Sequence, residues 1–298
     1  MNKQHSMPPA RVAAIHDLSC FGRCALTVII PTLSVMGHQV IPIPTALLST
    51  HTGGFQNLHF RDLSADMEPI AAHLESLPTA FRSIYTGFLG SEEQIEIVEQ
   101  FIRRFGAKRD ESGELPLILV DPVMGDGGEL YSTYTDALCQ GTKRLVTHAH
   151  IMTPNLTEAC ILTDTPYQST AEMSDTDAFA FAESLLDRLN AFGVPRTVIT
   201  GIFLSDGTVA NLGQDTNGAR FLIRRPLQKQ SYPGTGDLFA SVLLGSMLGG
   251  DSFEAACRRS ADFVASVVEA SSHIPTPVRD GVALESHLWR LVRQPNDA

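Results

Sequence analysis

The sequence predicts an α/β fold: a central, mainly parallel β-sheet flanked by helices, with a small antiparallel extension. Strand-like and helix-like segments alternate along nearly the whole chain, the pattern of parallel strands joined by helical crossovers. Short runs such as Leu117-Ile118-Leu119-Val120 are apolar throughout, as buried strands are. Turn residues at Asp206-Gly207 and Asn217-Gly218 separate extended segments and predict the antiparallel part.

The elements follow in order. Residues 11–15 form a short apolar run ending at His16-Asp17, a first strand. Residues 24–36 have helical length and apolar content, and Gly37 stops them. Residues 39–43 are a second strand, 65–77 an amphipathic helix and 83–86 a third strand. Ser91 caps a helix to about residue 105, with Glu92 and Glu93 in its first turn. Residues 117–120 make a strand ending in Asp121-Pro122, and 149–152 another before Asn155 opens a helix. Residues 170–192 read as mostly helical, and 197–200 as a strand ending at Gly201. Residues 203–212 and 220–223 form the antiparallel extension, and 236–249 and 252–271 are two long helices. No linker marks a boundary, so residues 11–298 read as one domain behind a disordered tail at 1–10.

Composition narrows the partners. A net charge of −11 argues against nucleic acid and anionic membranes, although a local site can still oppose that field. Five scattered cysteines, an odd number, suit a reducing cytoplasm better than a disulfide framework. Cys20 and Cys24 lack further ligands at zinc spacing. The uncharged stretch from Cys24 to Phe60 is broken by Pro31, Gly37, Pro42 and Pro44, well short of the ~20 apolar residues that a membrane span needs.

In parallel sheets, ligands bind at the carboxyl ends of the strands. Asp17, Thr86-Gly87, Asp121, Thr153 and Thr200-Gly201 each follow a predicted strand and should meet at one sheet edge. Three motifs stand out. Pro233-Gly234-Thr235-Gly236-Asp237 puts a glycine turn and a carboxylate at a helix start. Backbone N–H groups and the positive helix end there suit an anion. They should also keep Asp237 ionised, ready to draw a proton from an attacking hydroxyl. Taken alone, the motif is more simply a capping aspartate. Residues 120–128, V-D-P-V-M-G-D-G-G, place two acids and three glycines after a strand, which suits Mg²⁺ and a mobile flap or else a solvated loop. Thr153-Pro154-Asn155-Leu156-Thr157-Glu158 fits a capping box, or metal and phosphate contacts through water. No Walker G-x4-G-K-[ST] loop and no dinucleotide G-x-G-x-x-G after the first strand occurs.

The ordered set D-P-V-M-G-D, T-P-N-x-x-E and G-T-G-D resembles the ribokinase-like superfamily and, within it, the vitamin B6 kinases, over about residues 11–272. Ser49-Thr50-His51-Thr52-Gly53-Gly54-Phe55 is similar to that group's S-x-H-T-G substrate loop. The resemblance implies ATP-dependent phosphorylation of the 5′-hydroxymethyl group of pyridoxal, pyridoxamine or pyridoxine. In that reading Asp237 is the base, and Gly234, Thr235 and Gly236 form the anion hole. Asp121 and Asp126 lie near Mg²⁺ and the nucleotide phosphates, and Glu158 meets the metal through water. Thr153, Asn155 and Thr200 line the phosphate channel, Tyr131 closes the flap, and Leu227 lies near adenine. His51 and Thr52 border the pyridine pocket.

Two departures stand out. The first loop, His16–Gly22, is shorter than usual, leaving Asp17 or Ser19 to meet the ring. Phe88 replaces a tyrosine that often follows T-G. The resemblance further implies a cytoplasmic homodimer, with potassium as a candidate second cation. Its nearest rival is hydroxymethylpyrimidine kinase, whose first-loop glycine run is absent here. A non-catalytic pyridoxal phosphate carrier or sensor would lack the base, which Asp237 supplies.

Overall fold

The computed structural model describes residues 9–228 and 230–292. The expected tail at 1–10 therefore falls, up to residue 8, outside the described residues. In chain order the elements begin with β1 (Arg11–Phe21), α1 (Leu26–Val35), β2 (Gln39–Thr50), β3 (Phe60–Asp62) and α2 (Ser64–Ser76). Next come β4 (Ser83–Thr86), α3 (Glu92–Phe105), β5 (Leu117–Val120) and the small hairpin of β6 (Gly125–Asp126) and β7 (Glu129–Leu130). There follow α4 (Asp136–Val146), β8 (Ile151–Met152), α5 (Leu156–Leu162), α6 (Asp175–Leu189) and β9 (Arg196–Phe203). The described chain ends with β10 (Thr208–Gln214), β11 (Arg220–Pro226), α7 (Thr235–Leu248), α8 (Phe253–Ser272) and two short 3₁₀ turns.

One sheet of nine strands runs in the order β11-β10-β9-β8-β5-β4-β1-β2-β3. From β2 through β9 every neighbouring pair is parallel, and β3, β10 and β11 are the antiparallel additions. The apolar strands explain why both faces are covered. Side chains alternate across a sheet, so Ala13, Ile15, Ile84, Val120, Met152 and Ile199 enter one core with α2 to α6. Val12, Ala14, Tyr85, Leu119, Ile151 and Val198 enter the other, with α1, α7 and α8.

Several elements depart from the sequence reading: β3 and the β6–β7 hairpin have no counterpart in it, and β9 runs on through Thr200 and Gly201 to Phe203, so that the next strand starts only at Thr208. β1 does not stop at His16-Asp17 but continues to Phe21, so Asp17 and Ser19 lie inside a strand. Its pairing with β4 ends at Ile15, and beyond a register shift at His16/Leu18 it pairs only with β2. β2 likewise runs seven residues further than 43, through Pro42 and Pro44 at the sheet margin. The shift places an extra β2 residue between Pro44 and Leu47. Helix α4 has no counterpart among the sequence-derived elements: Gly141 interrupts its apolar face. A side chain at 141 would meet Ile95 Cδ1 at 2.5 Å, so that glycine lets α4 approach α3 closely.

Candidate active site

The strand ends do gather the predicted residues, and the first cluster surrounds Asp237. Helix α7 begins at Thr235, and its N-cap, Gly234, holds φ +80. A Cβ at Gly234 would stand 2.1 Å from the Arg23 carbonyl oxygen, so conformation and space both demand glycine. Nothing lies within 4 Å of a Cβ built on Gly236, which leaves open space over the first turn. Asp237 is half-buried, and its Oδ2 accepts the Ala25 N–H at 2.8 Å. That N–H comes from the N-cap of α1, where Ala25 sits at φ 45 and ψ −132. An L residue reaches such a backbone only under strain.

The turn therefore does not hold Asp237 in the way the sequence suggested. Burial pushes its carboxyl up to about 7 against the pull of the Ala25 N–H, and the charges of Asp121 and Asp17 add to the rise. Partial surface exposure is compatible with this, because the packed strand ends still strip away most of its hydration. The expectation of a firmly ionised Asp237 is corrected to a carboxylate balanced near neutrality.

The second cluster sits at the ends of β5 and β8. Asp121 is buried, and its Oδ1 accepts the Thr153 hydroxyl at 2.9 Å. Burial raises Asp121 to about 7. Asn155 caps α5 and forms the expected capping box with Glu158. Glu158 accepts the N–H of Asn155 at 2.8 Å and that of Met124 at 3.2 Å, one on each oxygen. Burial, then the Asp121 charge, lift it well above the usual carboxylate range. The glycine-rich segment is the β6–β7 hairpin, and Asn155 Nδ2 holds it through the Gly125 carbonyl at 2.8 Å. Asp126 lies exposed on this hairpin, its Oδ1 taking the Gly127 N–H at 2.8 Å. Tyr131 follows it, 38% exposed, at the hairpin's open end. Thr200 is bridged to Asn155 through the backbone.

The third cluster is the loop after β2. His51 is buried, whereas Thr52 is exposed. His51 Nδ1 accepts the Gly53 N–H at 3.1 Å, which leaves Nε2 to donate to the Arg279 carbonyl at 2.6 Å. Its ring packs edge-on to Phe55. The Ser19 hydroxyl donates to Asp17 Oδ2 at 2.9 Å, and burial raises Asp17. Phe88 is half-buried and meets Tyr134 edge to face. Leu227 is 41% exposed and hydrogen-bonds through its N–H to Gly207.

Asp121 and Glu158 offer hard oxygen donors whose shared negative charge a divalent cation would relieve. Among the described residues no group of three or more His, Cys, Asp or Glu side chains could hold a metal. Mg²⁺ is commonly held by one or two carboxylates with phosphate oxygens and water. Both Glu158 oxygens already take backbone N–H groups, so contact through water suits it.

The family model for phosphomethylpyrimidine kinase matches residues 30–278. This chain belongs to that family. A Bacteroides thetaiotaomicron protein described as a phosphomethylpyrimidine kinase, crystallised with pyridoxal, is 37% identical, with a TM-score of 0.84 over 95% of this chain and 96% of its own. Pyridoxal kinase from Lactobacillus plantarum is 28% identical, with a TM-score of 0.82 over 95% and 96%. The pyridoxine/pyridoxal/pyridoxamine kinase of Bordetella avium is 29% identical over 93% of each chain. The chain is thus a ribokinase-like kinase, as its motifs predict, and its relatives include vitamin B6 kinases.

Sequence reasoning missed several residues that the structure brings to this candidate site. Ala25 reaches Asp237 through its backbone, which no side-chain motif announces. Thr157 accepts the Gly128 N–H at 2.9 Å and so ties the hairpin to α5. Tyr167 packs beneath the same glycine, 2.6 Å from where a Cβ would stand. Thr157 stands within T-P-N-L-T-E at a position to which the motif assigns no role.

Proposed function

We infer that this kinase transfers the γ-phosphoryl group of ATP to the 5′-hydroxymethyl group of a pyridoxal-type vitamer. The observation that carries this is Asp237: a carboxyl balanced near pH 7 at the start of α7, under open space at Gly236. A general base works best when its pKa lies near the working pH. Ionised Asp237 accepts the proton of the hydroxymethyl oxygen as that oxygen attacks phosphorus. Backbone N–H groups of residues 234–236 and the positive end of α7 face the charge on the transferring group.

Asp121 and, through water, Glu158 would hold Mg²⁺, which supplies charge neutralisation at the nucleotide phosphates. Thr153, Asn155 and Thr200 line the phosphate path. Asp126, Tyr131 and the hairpin cover the nucleotide, and Leu227 borders adenine. Asp17, Ser19, Thr52 and Phe88 face the ring, and His51 shapes its loop. The pyridoxal bound to the Bacteroides neighbour and the names of the other relatives support this substrate class. The single nine-stranded sheet supports treating residues 11–298 as one kinase unit. Five free cysteines fit a cytoplasmic setting. No helix among the described residues is long and apolar enough to cross a membrane. A homodimer and a potassium requirement complete the reading; light scattering and potassium titration check them.

The family description favours one second reading, hydroxymethylpyrimidine phosphorylation. A coupled assay of ATP consumption decides between them, run with pyridoxal, pyridoxamine, pyridoxine and hydroxymethylpyrimidine. Turnover of the pyridine substrates at least tenfold faster, by kcat/KM, is expected (about 1.4 kcal/mol of discrimination). Preference for the pyrimidine would replace this reading.

A further inference from the structure

Beyond α8 the chain returns to the site as a strap, residues 277–284. Its far end is fixed: Val282 and Leu284 are buried in one cluster with Val28 of α1 and with Leu238 and Val242 of α7, the helix that carries Asp237. Its near end touches the loop after β2. The Arg279 carbonyl receives the His51 Nε2–H at 2.6 Å. The Arg279 guanidinium lies over the Phe55 ring, 4.9 Å from its centroid, and donates to the Gly54 carbonyl at 3.3 Å.

Between these ends the strap grips the segment that aims at Asp237. The Asp280 carbonyl accepts the Arg23 backbone N–H at 3.1 Å and its guanidinium at 3.3 Å. Arg23 also pairs with Glu285 at 2.7 Å. The Arg23 carbonyl is wedged between two glycines in the left-handed region. A Cβ at Gly281 would stand 2.7 Å from that oxygen, and one at Gly234 2.1 Å. Two residues on, the Ala25 N–H meets Asp237. His51 thus spends both ring nitrogens on backbone groups, and the path runs from the ring loop through the strap to the base.

We propose that the 277–284 strap is a positioning element that couples the His51–Phe55 loop to the Ala25–Asp237 contact, so that the loop's arrangement around the vitamer sets the aim of the base. This deepens the kinase reading and rests on it. A shift of about 1 Å in a catalytic group can cost about 100-fold in rate, so a short, tight path between the two sites has leverage.

The test compares wild type with His51→Leu, His51→Gln and Gly281→Ala. His51→Leu removes the donor to the Arg279 carbonyl, and His51→Gln restores one. Gly281→Ala strains the strap away from the ring loop. We expect His51→Leu and Gly281→Ala each to lower kcat roughly tenfold or more, with the KM for ATP unchanged. His51→Gln should recover most of that loss. Hydrogen exchange at the Ala25 amide, followed by mass spectrometry, should quicken in His51→Leu and not in His51→Gln, whatever the substrate proves to be. Should Gly281→Ala fail to fold, the His51 pair carries the test. Wild-type kcat and wild-type Ala25 exchange in His51→Leu would overturn the proposal, as would a Gln variant no better than Leu. Inactivity of the wild type on every vitamer would instead overturn the substrate reading, while the exchange data would still decide the coupling.

Discussion

The two halves of the proposed site, a phosphate side and a base side, are built in different ways. On the phosphate side, Asp121, Thr153, Asn155 and Glu158 come from neighbouring strand ends, and the Asn155–Glu158 box closes over three residues. On the base side, Asp237 is held by an N–H 212 residues away, through a strained alanine and a glycine pressed against a carbonyl. On the phosphate side the polar groups answer one another, Thr153 to Asp121, Asn155 to Gly125 and Met124 to Glu158. Burial raises carboxyls on both sides, and the base side differs in its strained backbone and its dependence on the packing of α1 against α7. Rigid local capping suits a cradle for a ligand that binds similarly before and after transfer. A carboxylate aimed by a strained backbone amide suits the proposed base.

Substitutions on the two sides should therefore differ in kind. The largest effect is expected for Asp237→Asn. The amide oxygen can still accept the Ala25 N–H, so the fold stays, but no base remains. Single-turnover phosphorylation should fall by about 10²–10⁴-fold, with substrate affinities within a few-fold. A wild-type rate would reduce Asp237 to a cap.

Next comes Gly234→Ala, which sets a methyl against the Arg23 carbonyl and forces an L residue to φ +80. It should cost about 1–3 kcal/mol in urea unfolding from the backbone alone, and more if the contact cannot relax. An unchanged midpoint would mean that the base side is looser than its contacts imply.

Asp237→Asn should also show a pH signature. The native pKa, about 7, lies above the ordinary 3.8, so as pH falls the native state takes the proton first. Ionised Asp237 thus costs stability fully above pH 7, and the cost fades as pH falls toward 3.8. The variant should melt higher than wild type at pH 8, and the gap should close by about pH 4. A gap that widens on acidification would contradict the raised pKa.

On the phosphate side, Asn155→Ala should lower stability by about 0.5–2 kcal/mol. It should also raise the KM for ATP, because the same side chain holds the hairpin at Gly125. The smallest effect is expected for Thr157→Val. It should remove one hydrogen bond worth about 0.5–1.5 kcal/mol and raise the KM for ATP more than it lowers kcat, with Thr157→Ser restoring both. Equal losses in all parameters would show that the hairpin serves the base side too.

The same contrast explains what was legible in the sequence. The Ser91 and Asn155 caps could be read from local chemistry, as could the apolar strands 83–86 and 117–120, because each rests on neighbours a few residues away. The T-P-N-x-x-E and D-P-V-M-G-D residues meet as expected, since parallel strand ends must. The Ala25 contact, the raised pKa of Asp237 and the role of His51 toward Arg279 depend on backbone atoms distant in sequence. α4 was hidden because Gly141 breaks its apolar face for a reason, contact with Ile95, that only the packed structure shows. The sequence ends β1 too early because polar Asp17 and Ser19 resemble a strand end, yet each finds its partner in the other inside the strand.

The extra residue between Pro44 and Leu47 in β2 has a consequence for how copies of this chain can meet. In a strand, successive backbone groups point to opposite sides. The Gln39 N–H donates to Ala10, so residues 39, 41 and 43 face β1, and Pro42 and Pro44 face outward. Past the bulge the sides exchange, and the Thr45 carbonyl and Ser49 N–H turn toward the β3 side. The stretch of sheet margin that β3 leaves uncovered is thus the stretch whose outward donors are replaced by proline rings. Such an edge offers no N–H ladder to an incoming strand. It resists both aggregation and assembly by sheet extension, and to a partner along residues 42–44 its backbone offers the Pro42 and Pro44 carbonyls as acceptors but no donor from those two residues.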